Sequence, residues 1–246
     1  MQAAVAAVER EAGAVGVLVN NAGYSQSGAV ETVPLDLVHR QFGTNLFGAV
    51  RLTQLVLRRM PQQGLGRIVN ISSIGGKPSF PGGGFYHGSK HALEAVSDVL
   101  RFELRPFGIQ VVVIEPGFIR SGFAEAAVHA MGSVEGDGPY ASYNAAVAAA
   151  TMEFYETGLL ARLTGDPDDV ARAVQQAISA RRPRPRYPVT ASARLLLALR
   201  GLLSDHAWDR FLRRSIPEPD HQWMAGDERP HQGVSEQGAG AEEERA

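Results

Sequence analysis

Three short apolar runs, separated by long stretches of helical periodicity, constrain the fold of this chain more than any other feature. The runs are residues 15–19, 67–71 and 109–115. In residues 34–60 and 86–107, apolar side chains recur every three or four positions, which is the spacing of one helix face. Apolar strands that alternate with amphipathic helices are typical of a parallel sheet covered on both faces. We therefore predict an α/β fold with a doubly wound parallel sheet.

The first and later parts of the chain are predicted to add further elements to this sheet. Alanines and valines at helical spacing indicate a helix over residues 2–12, ended by Gly13. Two more helices are predicted, one over residues 143–160 and one that begins after Asp166, an N-cap residue followed by proline. Nearby prolines restrict residues 187–190 to an edge strand, because proline cannot donate to a central strand.

The chain is predicted to form one domain followed by a tail. Residues 1–216 make up the domain, and its less regular part, about residues 118–216, is expected to form a substrate region or lid. Residues 217–246 are rich in Pro, Gly, Gln and Glu and have few apolar side chains. Such a segment cannot bury enough apolar surface to offset the chain entropy lost on folding. We therefore predict a disordered tail.

Composition excludes several classes of function. The chain has 246 residues, a formal net charge of −2 and no cysteine. It therefore lacks the broad positive field that a nucleic acid needs, and it can form neither a disulfide nor a cysteine-ligated metal site. No run of about 18 uncharged apolar residues is present, so neither a membrane span nor a secretory signal is expected. These features fit a cytoplasmic protein with no nucleic-acid partner and no membrane association.

Two local patterns allow a second interpretation. His87 and His91 share a helix face, but the glutamate of a zinc-binding His-Glu-x-x-His motif is missing, so no metal site is predicted. Residues 194–214 combine leucines and aromatic residues with several arginines. This pattern is typical either of a helix pair over a substrate pocket or of a helix that lies on a bilayer surface. We favour the helix pair.

The residues with the clearest chemical meaning are Ser73, Tyr86 and Lys90. Tyr86 and Lys90 are four positions apart, so their side chains share one face at the start of a predicted helix. An ammonium group close to a phenol favours the phenolate and lowers the tyrosine pKa from its usual value of about 10. Ser73 follows the second predicted strand, where its hydroxyl can bond a substrate oxygen. Together the three side chains suit the oxidation of an alcohol.

Three motifs in register resemble the short-chain dehydrogenase/reductase family. They are Asn-Asn-Ala-Gly at residues 20–23, Ile-Val-Asn-Ile-Ser-Ser at residues 68–73 and Tyr-His-Gly-Ser-Lys at residues 86–90. The resemblance implies a Rossmann-type fold and interconversion of an alcohol and a ketone or aldehyde by hydride transfer, with NAD or NADP as the cofactor. Residues 86–123 look most like hydroxysteroid and retinol dehydrogenases, which implies an apolar alcohol or carbonyl compound as the small-molecule substrate.

The resemblance also assigns roles to individual residues. Tyr86 would move the proton, Lys90 would lower the pKa of Tyr86 and hold the cofactor ribose, and Ser73 would orient the substrate oxygen. Asn45 would bend its helix and hold a water that connects Lys90 to solvent. The other cofactor contacts would come from two turns that follow predicted strands, where Ser121 replaces the family's frequent threonine: Asn21, Ala22, Gly23, Pro116, Gly117, Ile119 and Ser121.

A glycine-rich turn between a first strand and a helix is usual in this family and is not recognisable here. We therefore expect an N-terminally truncated member that lacks the first strands and the glycine-rich cofactor loop, and that binds its cofactor weakly. The run 15–19 would then be an exposed edge strand. A homodimer or homotetramer is the expected assembly. The alternative is an inactive fragment or pseudoenzyme that acts only as a subunit-binding module.

Overall fold

A parallel sheet forms the centre of the computed structural model, which describes residues 1–132, 140–157, 159–214, 216 and 218–219. Within these residues the sheet has four strands in the order β1-β2-β3-β4. The strands are β1 (Val17–Asn20), β2 (Gly66–Ile71), β3 (Ile109–Glu115) and β4 (Arg186–Pro188). All neighbours pair in parallel. The sheet and its helices confirm the predicted α/β class.

Helices precede the sheet, connect its strands and follow its last strand. They are α1 (Gln2–Ala12), α2 (Leu35–Phe42), α3 (Ala49–Val56), α4 (Gly84–Glu103), α5 (Phe123–Gly132), α6 (Ala141–Glu156), α7 (Pro167–Ser179), α8 (Ala191–Leu202) and α9 (Asp205–Arg213). A π-helix (Gly43–Gly48) joins α2 to α3, and short 3-10 turns span Met60–Gln63, Ile74–Gly76, Arg105–Phe107 and Leu159–Leu163.

The helix boundaries follow local signals in most places. Asp166 caps α7 through a reciprocal capping box, as its position before a proline predicted. The helix predicted to extend to residue 107 instead ends at Glu103, and a 3-10 turn (Arg105–Phe107) follows it. Proline within that turn disfavours continuation of the α-helix. Gly108, with φ +71°, then reverses the chain into β3.

Two predictions about helices are wrong. The continuous helix predicted over residues 34–60 is interrupted by the π-helix, which occupies Gly43–Gly48. The segment after β3, predicted to be irregular, contains α5. In the π-helix the hydrogen bonds run one residue further than in an α-helix, and side-chain periodicity does not show such a change.

The core lies on both faces of the sheet. On one face, Val69 and Val112 pack against α7 through Ala177. On the other face, Ile68 and Val111 pack with residues of α3 and of the turn that follows it. These strand residues are almost completely buried, and each such side chain contributes about 1.5–3 kcal/mol to folding. The two cores therefore fix β2 and β3, which lead to the candidate site.

Strand β1 is the exposed edge strand that the run 15–19 was expected to form. In the described part of the chain it pairs only with β2. Its valines are consequently 41% exposed at Val17 and 38% exposed at Val19. Within the described residues, only one edge of β1 is therefore paired, and part of its side-chain surface is exposed.

The helix pair α8–α9 packs beside the carboxyl edge of the sheet. Leu196 and Trp208 form a cluster with Ile74, which follows β2, and with Phe80 and Phe118. Residues 194–214 therefore form a packed helix pair, as predicted, but none of the described residues that line the cavity at this edge belongs to α8 or α9. No helix in the described part of the chain is both long enough and apolar enough to cross a membrane. The predicted tail, residues 217–246, lies outside the described residues except for 218–219.

Candidate active site

The carboxyl ends of β1, β2 and β3 open into one cavity of about 1010 Å³. Its wall brings together nine of the residues predicted from the sequence: Asn21, Gly23, Ser73, Tyr86, Lys90, Pro116, Gly117, Ile119 and Ser121. The other two lie nearby, since Ala22 follows Asn21 on the exposed turn after β1 and Asn45 is buried behind Gly23. Such an edge is where parallel α/β sheets bind ligands. The turns after β1 and β3 could together hold an elongated cofactor.

Much of the remaining wall of the cavity is apolar. It includes Phe80, Phe118, Phe123, Met131, Val147, Phe154 and Tyr155. Most of these residues belong to α5 and α6, within the segment from residue 118 that was expected to form a substrate region. The individual residues were not predicted, because a high apolar content after residue 118 was their only signal in the sequence.

Burial raises the pKa of Tyr86, and hydrogen bonding by the nearby Ser73 hydroxyl acts to lower it, so the two side chains lie close together. Ser73 lies two residues after the end of β2, and its Oγ also accepts a hydrogen bond of 3.1 Å from the amide of Gly75. That second bond fixes the serine as the N-cap of a 3-10 turn. Tyr86 lies in the first turn of α4 and is 9% exposed. The predicted pairing of a serine hydroxyl with a phenol is therefore present.

Lys90 lies one turn further along α4 and completes the group. Its Nζ donates a hydrogen bond of 2.8 Å to the carbonyl of Ile71 at the end of β2. The same Nζ lies 5.8 Å from the centroid of the Tyr86 ring. The ammonium is therefore held over the ring and against the strand end, not directly on the phenol oxygen.

Burial sets the net direction of the Tyr86 pKa shift. Burial raises the pKa of Tyr86 to about 12, and the hydrogen bond from Ser73 only partly opposes this. The pKa is therefore raised overall, because desolvation of the phenolate dominates, and the lowering of this pKa by Lys90 stays a prediction. Burial also lowers the pKa of Lys90 to about 8, while the charge of Glu94 raises it. At neutral pH the site therefore holds a phenol and an ammonium group.

Asn45 fastens the turn after β1 to the helix that carries Tyr86 and Lys90. Its Oδ1 accepts from the amide of Tyr24 (3.0 Å), and its Nδ2 donates to the Tyr24 carbonyl (2.9 Å) and to Ser89 Oγ (3.0 Å). The surrounding π-helix confirms that the helix is irregular here. The water-binding role of Asn45 stays a prediction.

Gly23 lies where a side chain would be tightly packed. A Cβ at this position would be 3.2 Å from Asn45 Oδ1 and 3.4 Å from Lys90 Nζ. The backbone of the turn after β1 therefore packs directly against both groups, and it presents an open face to the cavity.

A buried chain of amides behind the site was not predicted. Asn20 Nδ2 donates to Asn70 Oδ1 (2.8 Å) and to Thr53 Oγ1 (3.3 Å), and Asn70 Nδ2 donates to Ser97 Oγ (2.8 Å). Asn20 and Asn70 are register partners in β1 and β2. The signal in the sequence was an asparagine near the end of two successive apolar runs. These bonds tie the two strand ends to α4.

The turn after β3 packs tightly against the start of α8. A Cβ at Gly117 would lie 2.2 Å from Thr190 Oγ1 and 2.7 Å from Ser192 Oγ. Thr190 caps α8 by accepting a hydrogen bond of 3.0 Å from the amide of Ala193. Further along, Ser121 is exposed at the cavity, and its hydroxyl makes only a 3.5 Å contact with the carbonyl of Ile119. Glycine at 117 thus sets the path of the turn that presents Ser121.

His87 forms part of the cavity wall next to Tyr86. Its Nδ1 lies 3.2 Å from the carbonyl of Gly75, and its ring centroid lies 5.5 Å from that of Tyr86. Burial lowers the pKa of His87 to about 4, so the ring is neutral at physiological pH. The described residues contain no group of three or more His, Cys, Asp or Glu that could hold a metal ion.

Known proteins are similar to this chain both in sequence and in fold. A family model described as short chain dehydrogenase matches residues 1–132. The uncharacterized oxidoreductase YusZ of Bacillus subtilis is 34% identical over 204 residues, which are 82% of this chain and 71% of that protein. The NADPH-dependent 3-dehydrocapnine reductase of Ornithobacterium rhinotracheale is 32% identical over 204 residues, covering 81% of this chain and 70% of the relative.

Solved structures give the same result. A short-chain dehydrogenase from Streptomyces avermitilis superposes with a TM-score of 0.66 and 32% identity, covering 86% of this chain and 75% of that one. A short-chain dehydrogenase/reductase from Burkholderia phymatum, solved in complex with NAD, gives a TM-score of 0.66 and 25% identity, covering 89% of this chain and 74% of that one.

Proposed function

The chain belongs to the short-chain dehydrogenase family, and on that premise we propose that it interconverts an alcohol and a ketone or aldehyde by hydride transfer. The observation that carries this proposal is that Ser73, Tyr86 and Lys90 line the wall of one cavity, with Lys90 one helical turn from Tyr86. A hydroxyl and a phenol in the same wall can both reach a single substrate oxygen.

The protonation states suit reduction of a carbonyl at neutral pH. Because burial raises the pKa of Tyr86 to about 12, the phenol carries the proton that the substrate oxygen must gain as hydride arrives at carbon. The Ser73 hydroxyl donates to the same oxygen and stabilises its developing charge. The Lys90 ammonium then stabilises the phenolate that Tyr86 becomes. In the oxidative direction the proton returns to Tyr86.

We propose NAD or NADP as the cofactor, because one structural neighbour holds NAD and one relative is named for NADPH. When bound, the nicotinamide supplies or accepts the hydride. The residues fit this group, since Gly23 leaves an open backbone face beside Lys90 and the turn after β3 borders the same cavity. The proposed contacts are Asn21, Ala22 and Gly23 on the adenine side, Lys90 and Tyr86 at the ribose, and Pro116, Gly117, Ile119 and Ser121 at the nicotinamide. Asn45 would support the proton relay.

The apolar wall supports an apolar alcohol or carbonyl compound as the substrate. Aromatic side chains from the turn after β3 and from α6 line the same cavity as Tyr86, including Phe118 and Phe154, whose rings stack with a centroid distance of 5.9 Å. We further propose residues 1–216 as one domain, with 118–216 as its substrate region, and a homodimer or homotetramer as the assembly. The intact Ser73–Tyr86–Lys90 group favours an enzyme over an inactive subunit-binding module.

The test is turnover by the whole chain with NADH or NADPH and a panel of apolar ketones, followed by the loss of reduced-nicotinamide absorbance. Tyr86→Phe should abolish turnover and weaken dinucleotide binding, measured by calorimetry, far less, because Lys90 and the two turns keep their proposed contacts. Tyr140→Phe is the matched control, because the Tyr140 hydroxyl bonds Glu31 outside the cavity. Retained turnover in Tyr86→Phe would contradict the proposal, and absence of turnover in the unchanged chain would favour the subunit-binding alternative.

A further inference from the structure

The chain contains two lysines, Lys77 and Lys90; Lys77 forms an ion pair with the buried carboxylate of Glu94, and Lys90 lies four residues before Glu94 on the same helix. Lys77 Nζ is 3.8 Å from Glu94 Oε2. Lys90 precedes Glu94 by one turn of α4 and feels its charge through space, since Lys90 Nζ itself donates to the Ile71 carbonyl. Glu94 is 2% exposed. A carboxylate at this depth is costly unless positive charges compensate it.

Only one of the two carboxylate oxygens of Glu94 accepts a hydrogen bond within the described residues. Its Oε2 accepts a hydrogen bond of 3.0 Å from Arg186 Nε. Its Oε1 has no hydrogen-bond partner among the described residues, and neither has the buried hydroxyl of Ser72. The two atoms without such a partner, Ser72 Oγ and Glu94 Oε1, both border Gly76. A Cβ at Gly76 would lie 2.7 Å from Ser72 Oγ and 3.3 Å from Glu94 Oε1. Glycine at this position therefore leaves room for the carboxylate directly behind the turn that begins with Ser73.

Three other charged residues lie close to Glu94: Arg186 of β4, Asp98 of α4 and Glu115 of β3. Arg186 of β4 also donates to both carboxylate oxygens of Asp98, at 2.7 and 2.8 Å, and lies 3.5 Å from Glu115 at the end of β3. Burial and the negative charge of Glu94 raise the pKa of Glu115 to about 7. Arg186 is thus shared among three carboxylates, which leaves part of the charge of Glu94 to act on the lysines.

We propose that Glu94 is a positioning residue whose buried carboxylate keeps Lys90 in its ammonium form beside Tyr86. The cluster has the geometry for this role, because the rigid helix fixes the spacing of Glu94 and Lys90, and the arginine of β4 fixes the carboxylate. The catalytic meaning of this role rests on the proposed function.

The physical reason is the cost of a buried ammonium group. Burial lowers the pKa of Lys90 to about 8, close enough to neutral pH that a further decrease would leave part of the lysine uncharged. A neutral amine could not stabilise the phenolate formed when Tyr86 gives up its proton. The negative charge of Glu94 opposes that loss.

The experiment is a pH titration of the whole chain by NMR with isotopically labelled lysine, which gives two side-chain signals. Lys77→Arg removes one signal and so identifies that of Lys90. In Glu94→Gln, which keeps the size and removes the charge, the titration midpoint of Lys90 should fall by about one pH unit. Asp98→Asn is the matched control, because Asp98 also bonds Arg186 but lies one turn further from Lys90. It should move the midpoint much less.

An unchanged Lys90 midpoint in Glu94→Gln, or an equal change in Asp98→Asn, would overturn the proposal. If Glu94→Gln does not fold, the unchanged chain with labelled glutamate provides the test, with Glu94→Asp used to assign the signal. The carboxyl carbon of Glu94 should then shift at the midpoint of Lys90, and absence of that step overturns the proposal as well. None of these measurements needs turnover, so an inactive chain with the expected titration would contradict only the proposed function.

Discussion

The amide of Asn45 donates a hydrogen bond of 3.0 Å to the hydroxyl of Ser89, which directly precedes Lys90 on α4. The same side chain bonds the amide and the carbonyl of Tyr24 in the turn after β1. One asparagine, buried in a π-helix, therefore holds the turn and the acid/base helix in a fixed relation. The site depends on this link because the turn borders the cavity in which Tyr86 and Lys90 lie.

Replacement of Asn45 by alanine should destabilise the protein measurably. The change leaves the amide and carbonyl of Tyr24 without their buried partner, so the free energy of unfolding in urea should fall by about 2 kcal/mol. Thr44→Ala is the control, since the Thr44 hydroxyl bonds only the Arg40 carbonyl of the preceding helical turn. Equal losses in the two variants would show that the link to α4 does not contribute.

Gly117→Ala should be destabilising in a way that Gly122→Ala is not. The added methyl group at residue 117 would lie 2.2 Å from Thr190 Oγ1, whereas at residue 122 it meets nothing within 4 Å. Overpacking of this kind costs about 1–3 kcal/mol. Thermal unfolding of both variants measures the difference. A Gly117→Ala protein as stable as the unchanged chain would mean that the turn after β3 and the start of α8 can separate freely.

Sequence patterns were sufficient to predict the strands and the central site residues. Each apolar run became a parallel strand, and Ser73, Tyr86 and Lys90 come together because the strand end and the first turn of α4 meet at one edge of the sheet. Helical spacing alone places Tyr86 and Lys90 on one face. These features depend on residues that are close in sequence.

The pKa of Tyr86 could not be predicted in this way. Its direction depends on burial by groups that come from distant parts of the chain, such as Phe123 at the start of α5, whose ring centroid lies 5.6 Å from that of Tyr86. The π-helix around Asn45 could not be predicted from the sequence either, because the spacing of apolar residues does not show which carbonyl each backbone amide bonds. Both failures concern packing and hydrogen bonding that only the folded chain defines.

The stability of the protein should fall in mild acid because of His87. Burial lowers the pKa of His87 to about 4, whereas in the unfolded chain it titrates at about 6.5. Protons therefore bind the unfolded chain more readily, and the contribution of neutral His87 to stability is complete above about pH 6.5 and is lost as the pH falls towards 4. The full change amounts to about 3 kcal/mol.

Urea unfolding between pH 7 and pH 4 tests this dependence. The difference in unfolding free energy between the unchanged chain and His87→Gln should shrink as the pH falls, because glutamine does not titrate. His39→Gln, at an exposed position of α2, should keep the pH dependence of the unchanged chain. A pH dependence that is identical in His87→Gln and the unchanged chain would contradict the buried, neutral ring.

Self-association should be sensitive to charge on the edge strand. Val17 is 41% exposed on β1, which pairs on one side only within the described residues. An apolar strand edge of this kind can pair with other chains. Val17→Lys should therefore reduce aggregation measured by light scattering. Val8→Lys is the matched control, because Val8 is 49% exposed but lies on α1, away from a strand edge. Equal reductions would attribute the effect to net charge and not to the edge.

The most direct test of the account is transfer of deuterium from a nicotinamide cofactor labelled at its reactive carbon. Incubation with an apolar ketone should give an alcohol that carries one deuterium at the former carbonyl carbon, detected by mass spectrometry. Tyr86→Phe should give no labelled alcohol, because hydride cannot be accepted without the phenol proton. Labelled product from Tyr86→Phe at the rate of the unchanged chain would contradict the claim that Ser73, Tyr86 and Lys90 form the reacting site.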